Sequence, residues 1–261
     1  MFNFFSKIVK NRYRDLGISD YRYLVIKNQR GSAERYCTLF GKRFWYTNAG
    51  EFKHGLNEIF GEMFYLLPKP STSQALIIDG GANIGLSVLF LKRLIPQSKI
   101  VCFEPDPHNF GLLRKNCESF ALTGVELHQS AVWNENGNIG FSIQGSTASR
   151  IDAASQTNLI KAERLKDYLT QKIHFLKLDI EGAEYKVLMD IKEELHLVDH
   201  LFVEYHGLFE QNHELLEILV CLEQAGFKFY IKEADRIYRS PFLREEPRKV
   251  FDVQLNIFAF R

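Results

Sequence analysis

The feature that most restricts the fold is an apolar run, Ala75-Leu-Ile-Ile-Asp79, that passes straight into Gly80-Gly-Ala-Asn-Ile-Gly85. An apolar, helix-spaced segment over residues 86–95 follows and Pro96 stops it. Glycines at 80, 81 and 85 allow a sharp turn and a close approach of backbone to a ligand. Strand, glycine turn and helix make one βα unit, and the unit recurs. Lys99-Ile-Val-Cys-Phe-Glu104 is a second strand, ended by Pro105 and followed by a helix over 107–120. Residues 125–132 alternate as a third strand, and 138–143 add another after the Asn136-Gly137 turn. A fourth strand over 173–179 leads to a helix near Gly182, and a fifth over 200–206 precedes a helix over 214–225. Residues 227–232 and 250–260 read as late strands. This alternation predicts an α/β fold with a parallel sheet covered on both faces. Right-handed crossovers then bring the C-terminal ends of the strands to one edge, where ligands bind.

Pro68-Lys-Pro-Ser-Thr-Ser73 reads as a connector. It divides an N-terminal extension, residues 1–70, from the main domain, residues 71–261. In the extension, β-prone runs at 36–40 and 44–47 joined through Gly41 predict a hairpin, and helical spacing over 51–67 predicts a helix. Residues 1–10 mix Phe2, Phe4, Phe5 and Ile8 with Lys7 and Lys10, which predicts a short helix docking its aromatic side on the domain. Weak peripheral contact with a bilayer is the alternative. Residues 145–157 are small, polar and aperiodic, so a long loop is expected near the strand ends.

The charge balance, 33 Lys plus Arg against 32 Asp plus Glu, argues against a nucleic-acid partner, which selects for a basic excess. Four scattered cysteines without a C-x-x-C pair exclude a disulfide framework or zinc ribbon. The chain lacks an apolar run of membrane-spanning length and a secretory leader pattern, so the cytoplasm is the expected address.

Chemistry concentrates at the predicted strand ends. Glu104 stands 25 residues after Asp79, where an acid at the end of the second strand accepts both hydroxyls of a ribose. That pairing implies an adenosine-containing ligand. The glycines run G-G-x-x-x-G rather than G-x-G-x-x-G, and the additional acid Asp79 suits a ligand bearing an ammonium more than a pyrophosphate. S-adenosylmethionine carries such an ammonium. Asp79 and Glu104 are therefore expected to face one shared cavity.

With these residues the sequence resembles the FkbM family of S-adenosylmethionine-dependent methyltransferases. The resemblance rests on Ile78-Asp-Gly-Gly-Ala-Asn-Ile-Gly85, Phe103-Glu-Pro-Asp-Pro107, Ser130-Ala-Val132, Phe175-Leu-Lys-Leu-Asp-Ile-Glu-Gly-Ala-Glu184 and Val203-Glu-Tyr-His206, in order, and covers residues 50–260. It implies a class I methyltransferase, Rossmann-like fold whose seven-stranded, mostly parallel sheet has its last strand antiparallel. It also implies that Asp79, Gly80, Gly81, Ala82, Asn83 and Gly85 hold the methionine end. Glu104 with Pro105 would take the ribose, and Asp106, Ser130 and Ala131 would lie around adenine. The acceptors implied are small molecules or glycans: hydroxyls of a sugar, glycolipid or polyketide.

Asp179, Glu181 and Glu184 crowd three carboxylates into six residues at a strand end and helix start. Like charges so close repel unless a cation or shared proton intervenes, although a helix N-terminus also favours them. Period-two alternation puts Glu204 and His206 on one side of the fifth strand, beside Asp179. Moving a methyl group to a hydroxyl requires a proton acceptor. His206 is the first candidate because it titrates nearest neutrality; Asp179 and Glu181 follow, with Asp179 also near the donor sulfur. A third arrangement makes Asp179, Glu204 and His206 ligands of a divalent cation such as Mg²⁺. Competing readings of the whole chain are a nicotinamide-dependent oxidoreductase and a non-catalytic nucleotide-binding scaffold.

Overall fold

The apolar runs of the sequence become strands because each is too short for a helix of useful length and is bounded by glycine or proline. The computed structural model describes residues 12–71, 74–142, 150–151, 159–234, 236–243 and 250–261. In chain order the elements begin with α1 (Asp20–Asn28), β1 (Arg35–Leu39), β2 (Lys42–Tyr46) and α2 (Ala49–Gly55), which runs on as a π-helical turn, Leu56–Gly61. Then come β3 (Leu76–Gly80), α3 (Leu86–Leu94), β4 (Lys99–Phe103), α4 (Pro107–Ser119), β5 (Val125–His128), β6 (Ala131–Trp133) and β7 (Gly137–Ser142). The remainder is β8 (Arg150–Ile151), β9 (Leu159–Arg164), β10 (Ile173–Leu178), α5 (Glu184–Asp190), β11 (Val198–Gly207), α6 (Asn212–Gln224), β12 (Lys228–Glu233) and β13 (Val253–Phe260).

Seven strands form the main sheet in the order β12-β13-β11-β10-β3-β4-β5. β11, β10, β3, β4 and β5 pair parallel, while β13 enters antiparallel between β11 and β12. This is the α/β, class I methyltransferase arrangement, its late hairpin supplying the antiparallel strand. β3 and β10 are buried along their whole lengths, as strands covered on both faces must be. The hydrophobic core has two parts. One lies under β6, β9, α5 and α6 around Leu176, Leu201 and Ile257; the other lies under the N-terminal hairpin and α2, where Phe44 and Phe52 join Ile77, Val88 and Ile100. Tyr46 stacks on Phe52 with ring centroids 4.2 Å apart, tying the hairpin to α2.

Three expectations change, and the structure adds one element. The strand predicted over 125–132 divides: β5 stays in the main sheet, whereas β6 pairs parallel with β9 in a second sheet of order β6-β9-β7-β8. Ser130 marks the break, its hydroxyl donating to Glu163 on β9 at 2.8 Å. The helix predicted over 51–67 ends at Gly61, and Met63 takes a left-handed conformation (φ 55°). Within the expected loop at 145–157, residues 150–151 pair with β7 as a strand; the other residues of that segment, like residues 1–10, lie outside the described ones. Finally α1, which the spacing did not reveal, starts at Ser19, whose hydroxyl accepts the N–H of Arg22.

Candidate active site

Parallel register brings the chemistry of three strands to one edge. Lys177 on β10 lies opposite Asp79 on β3, and Leu178 opposite Val203 on β11. One residue beyond those pairs stand Asp179 and Glu204. A cavity of about 750 Å³ opens here, roofed by α2 and its π-turn. Gly81, Ala82 and Asn83 of the glycine turn line it together with Asp179, Glu181, Glu204 and His206.

The turn is held by close backbone packing. A Cβ on Gly81 would lie 1.9 Å from the Asp179 carbonyl oxygen, and Gly81 itself has φ 92°. Glycine is thus required for the β3 and β10 ends to meet. Two non-glycine residues of the cavity wall, Asn83 (φ 48°) and Glu181 (φ 54°), also adopt left-handed backbone, a strained conformation that concentrates at functional sites. α3 begins at the turn with no side-chain cap on its N-terminus, and Leu86 and Ser87 of its first turn line the cavity.

Asp79 and Glu104 do not line this cavity; each turns its carboxyl into the protein. Asp79 is fully buried, accepts the Ser87 hydroxyl through Oδ2 at 2.6 Å, and places Oδ1 3.3 Å from the Lys177 ammonium without accepting a hydrogen bond from it. Glu104 accepts the N–H of Asn83 through Oε2 and that of Asp106 through Oε1, both at 2.9 Å. Burial pushes its carboxyl up to about 8 against those two donors. Each oxygen of a carboxylate has a second lone-pair site, so hydrogen-bonding capacity remains at Glu104. Pro105 follows, and Asp106 caps α4 by accepting the N–H groups of His108 and Asn109 at 2.9 Å. Asp106 lines a neighbouring cavity of about 760 Å³, which shares Asn48, Glu51 and Asn109 with the first. Gly80, Gly85, Ser130 and Ala131 line neither. Ser130 and Ala131 are buried under a polar cluster in which Lys161, Tyr168 and Ser130 donate to Glu163. Those donors outweigh burial and hold the Glu163 carboxyl down at about 2.

At the other end of the cavity, Asp179, Glu181 and His206 offer ligand atoms within 4.8 Å of one another. Glu204 stands beside that trio, with Oε1 3.6 Å from His206 Nε2. Burial disfavours a charged imidazole. Glu184, whose Oε1 lies 3.1 Å from Nδ1, outweighs it with help from Glu181 and Glu204, so His206 is held up at about 10. Burial in turn pushes Glu181 up to about 7 and Glu204 up to about 8. The acids thus share their charge with one imidazolium, as the crowding required.

Sequence reasoning missed two residues here and undervalued a third. Lys177 is the only cationic side chain of β10 apart from its histidine, and a lysine in a strand buried on both faces was its signal. Tyr65, buried against Phe175 and Phe202, lines the cavity from below. Glu184, noted among the three crowded acids, is 1% exposed; it accepts N–H groups from Ile180 and Gly182 as well as contacting His206. That burial separates it from a carboxylate placed only for a helix dipole.

The family described as the methyltransferase FkbM domain matches residues 79–229. "Methyltransferase 1" of Beauveria bassiana (strain ARSEF 2860) is 30% identical over 215 residues, which cover 71% of this chain and 84% of that protein. "2-O-methyltransferase NoeI" of Sinorhizobium fredii (strain NBRC 101917 / NGR234) is 26% identical, covering 66% of this chain and 82% of that protein. The crystal structure of methyltransferase FkbM from Methylobacillus flagellatus KT superposes with a TM-score of 0.51 at 16% identity, covering 78% of this chain and 47% of that one. This chain therefore spans about half the length of that structure, and the likeness shows the shared fold.

Proposed function

Because the chain belongs to the FkbM methyltransferase family, we propose that its cavity takes S-adenosylmethionine as methyl donor and passes the methyl group to a hydroxyl of a sugar, glycolipid or polyketide-like acceptor. One observation carries the reading: the glycine turn and the Asp179–Glu181–His206 cluster line the same cavity. The uncapped N-terminus of α3 suits the carboxylate of an amino acid. Asp79, fully buried behind the glycine turn beside Lys177, would act on the ligand's ammonium only as a charge behind the wall and not by contact. Glu104 retains capacity for ribose hydroxyls, and Asp106 faces the adjoining cavity, where adenine is proposed to reach. Ser130 and Ala131 would support that end from beneath. When bound, the donor supplies a methyl group on a positively charged sulfur.

Oxygen as the accepting atom follows the relative named as a 2-O-methyltransferase. The protein's tasks are then to align the hydroxyl and to remove its proton. An imidazole at about 10 already carries its proton at neutral pH, so His206 alone is a poor acceptor. Glu181, at about 7, is matched to the task. We assign the proton to the Glu181–His206 pair, whose Oε2 and Nε2 atoms lie 3.6 Å apart, with Glu184 fixing the imidazole ring. Asp179 is proposed to face the donor sulfur.

A divalent cation is the second reading. The oxygen, oxygen and nitrogen set of Asp179, Glu181 and His206 suits Mg²⁺ or Mn²⁺, and Glu184 on Nδ1 is the partner a metal-bound histidine uses. A bound cation there would acidify a coordinated hydroxyl. The test is transfer of labelled methyl from S-adenosylmethionine to a panel of glycans and polyketide alcohols, with and without chelator. Proton transfer through the pair predicts a rate indifferent to chelator; loss restored by Mg²⁺ would move the assignment to the cation.

A further inference from the structure

The Lys177 ammonium is 3% exposed and sits in a cage of three oxygens: the Gly81 carbonyl at 2.7 Å, Asp179 Oδ2 at 3.1 Å and Asp79 Oδ1 at 3.3 Å. It therefore bridges the acid that ends β3 to the acid that follows β10, and it ties both to the glycine turn. Burial works against its charge, but Asp179 and Asp79 outweigh it and keep the ammonium well above its ordinary value. The other titratable groups that feel it are Tyr65, Cys102, Glu104, Glu181 and Glu204. Burial keeps the Tyr65 hydroxyl neutral. Two carboxylates against one ammonium leave this knot with one net negative charge.

We propose that Lys177 sets the charge of the donor site, leaving one negative charge that matches a sulfonium donor and not the neutral thioether left after methyl transfer. The inference rests on the donor reading above. S-adenosylmethionine and S-adenosylhomocysteine share their ammonium and carboxylate and differ by the methyl group and the sulfur's positive charge. When the methyl leaves, the electron pair of the broken C–S bond stays on sulfur, so the product is one charge lower than the donor. A site with no ammonium would hold two charges in a low-dielectric wall, at a high desolvation cost. A site with no residual charge would not favour donor over product. Lys177 lies between these extremes, acting as a positioning residue for both acids and as a counter-charge that limits the anionic charge of the site to one unit.

Calorimetric titration of the full chain with S-adenosylmethionine and, separately, S-adenosylhomocysteine gives the ratio of product Kd to donor Kd. Lys177→Met is expected to raise that ratio about tenfold, and Lys177→Arg to leave it within about twofold. Asp179→Asn removes a negative charge instead and is expected to lower the ratio about tenfold. Should Lys177→Met fail to fold, Asp179→Asn decides, because the Asp179 side chain is 28% exposed and its loss buries no orphan charge. A ratio unmoved by Lys177→Met, or by Asp179→Asn, overturns the proposal, as does an equal shift in Lys177→Arg. Absence of binding by both ligands to the wild-type chain would remove the donor reading itself, and this proposal with it.

Discussion

The two ends of the cavity spend their acids differently. At the glycine-turn end, Asp79 and Glu104 are committed to partners within the protein: a serine hydroxyl, a lysine and two backbone N–H groups. At the β10–β11 end, Glu181 and Glu204 face the cavity, pushed toward neutrality by burial and crowded around one imidazolium. The first arrangement fixes backbone and shape. The second stores protons near physiological pH. A site that must grip one ligand and deprotonate another needs both, and the β10 end joins them through Lys177.

The largest effect expected from breaking this contrast is at the junction. Gly81→Ala forces a Cβ against the Asp179 carbonyl and a left-handed φ on alanine, so denaturant unfolding should show a loss above about 3 kcal/mol. A loss under about 1 kcal/mol would mean that the two strand ends do not need to touch. At the proton end, Glu181→Gln should cut turnover by about 10² to 10⁴ with little change in donor affinity. Its residual rate should also lose the rise with pH that the wild type shows through about 7.

Stability should report the same cluster. A histidine raised from 6.5 to about 10 stabilises fully below its unfolded pKa, and that contribution is lost as pH rises through 10. Glu181 and Glu204, raised above 4.5, act with the same sign, because each binds its proton more tightly folded than unfolded. Stability should therefore fall from about pH 4.5 to 10, the two acids acting between about 4.5 and 8 and the histidine between about 6.5 and 10 with a slope near 1.4 kcal/mol per pH unit. Glu184→Gln should flatten the histidine part, measured as Tm at pH 7 and pH 9; an unchanged slope would detach Glu184 from His206. The smallest effect belongs to the glycine-turn end. Ser87→Ala removes one donor to Asp79 and should cost about 1 to 3 kcal/mol while leaving the pH slope intact.

Most of the main sheet was legible because its strands are continuous apolar runs punctuated by Gly80, Pro105 and Gly182, and because the strand ends carry acids at fixed positions. The second sheet was not. β6 continues the apolar alternation of β5, and nothing local tells that Ala131 pairs with Ala162 rather than extending the first sheet. Within the site, the nearness of His206 and Glu204 to Asp179 followed from period-two alternation and adjacent parallel strands, but that Glu181 rather than Glu204 completes the trio with Asp179 and His206 did not. The inward turn of Asp79 and Glu104 did not, since it depends on Ser87 and on the N–H groups of Asn83 and Asp106, which only the folded turn presents. Lys177 was hidden for a related reason: a single lysine in an apolar run marks a buried charge only once the strand is known to be covered on both faces.

The central claim is that this strand-end cavity takes a sulfonium nucleoside. Titration calorimetry of the wild-type chain with S-adenosylhomocysteine and with NAD, repeated on Glu104→Ala, tests it most directly. The account predicts saturable binding of the thioether, none of NAD, and a loss of at least about tenfold in Glu104→Ala with the fold retained. Binding of NAD in preference, or a Glu104→Ala affinity equal to the wild type, would contradict it.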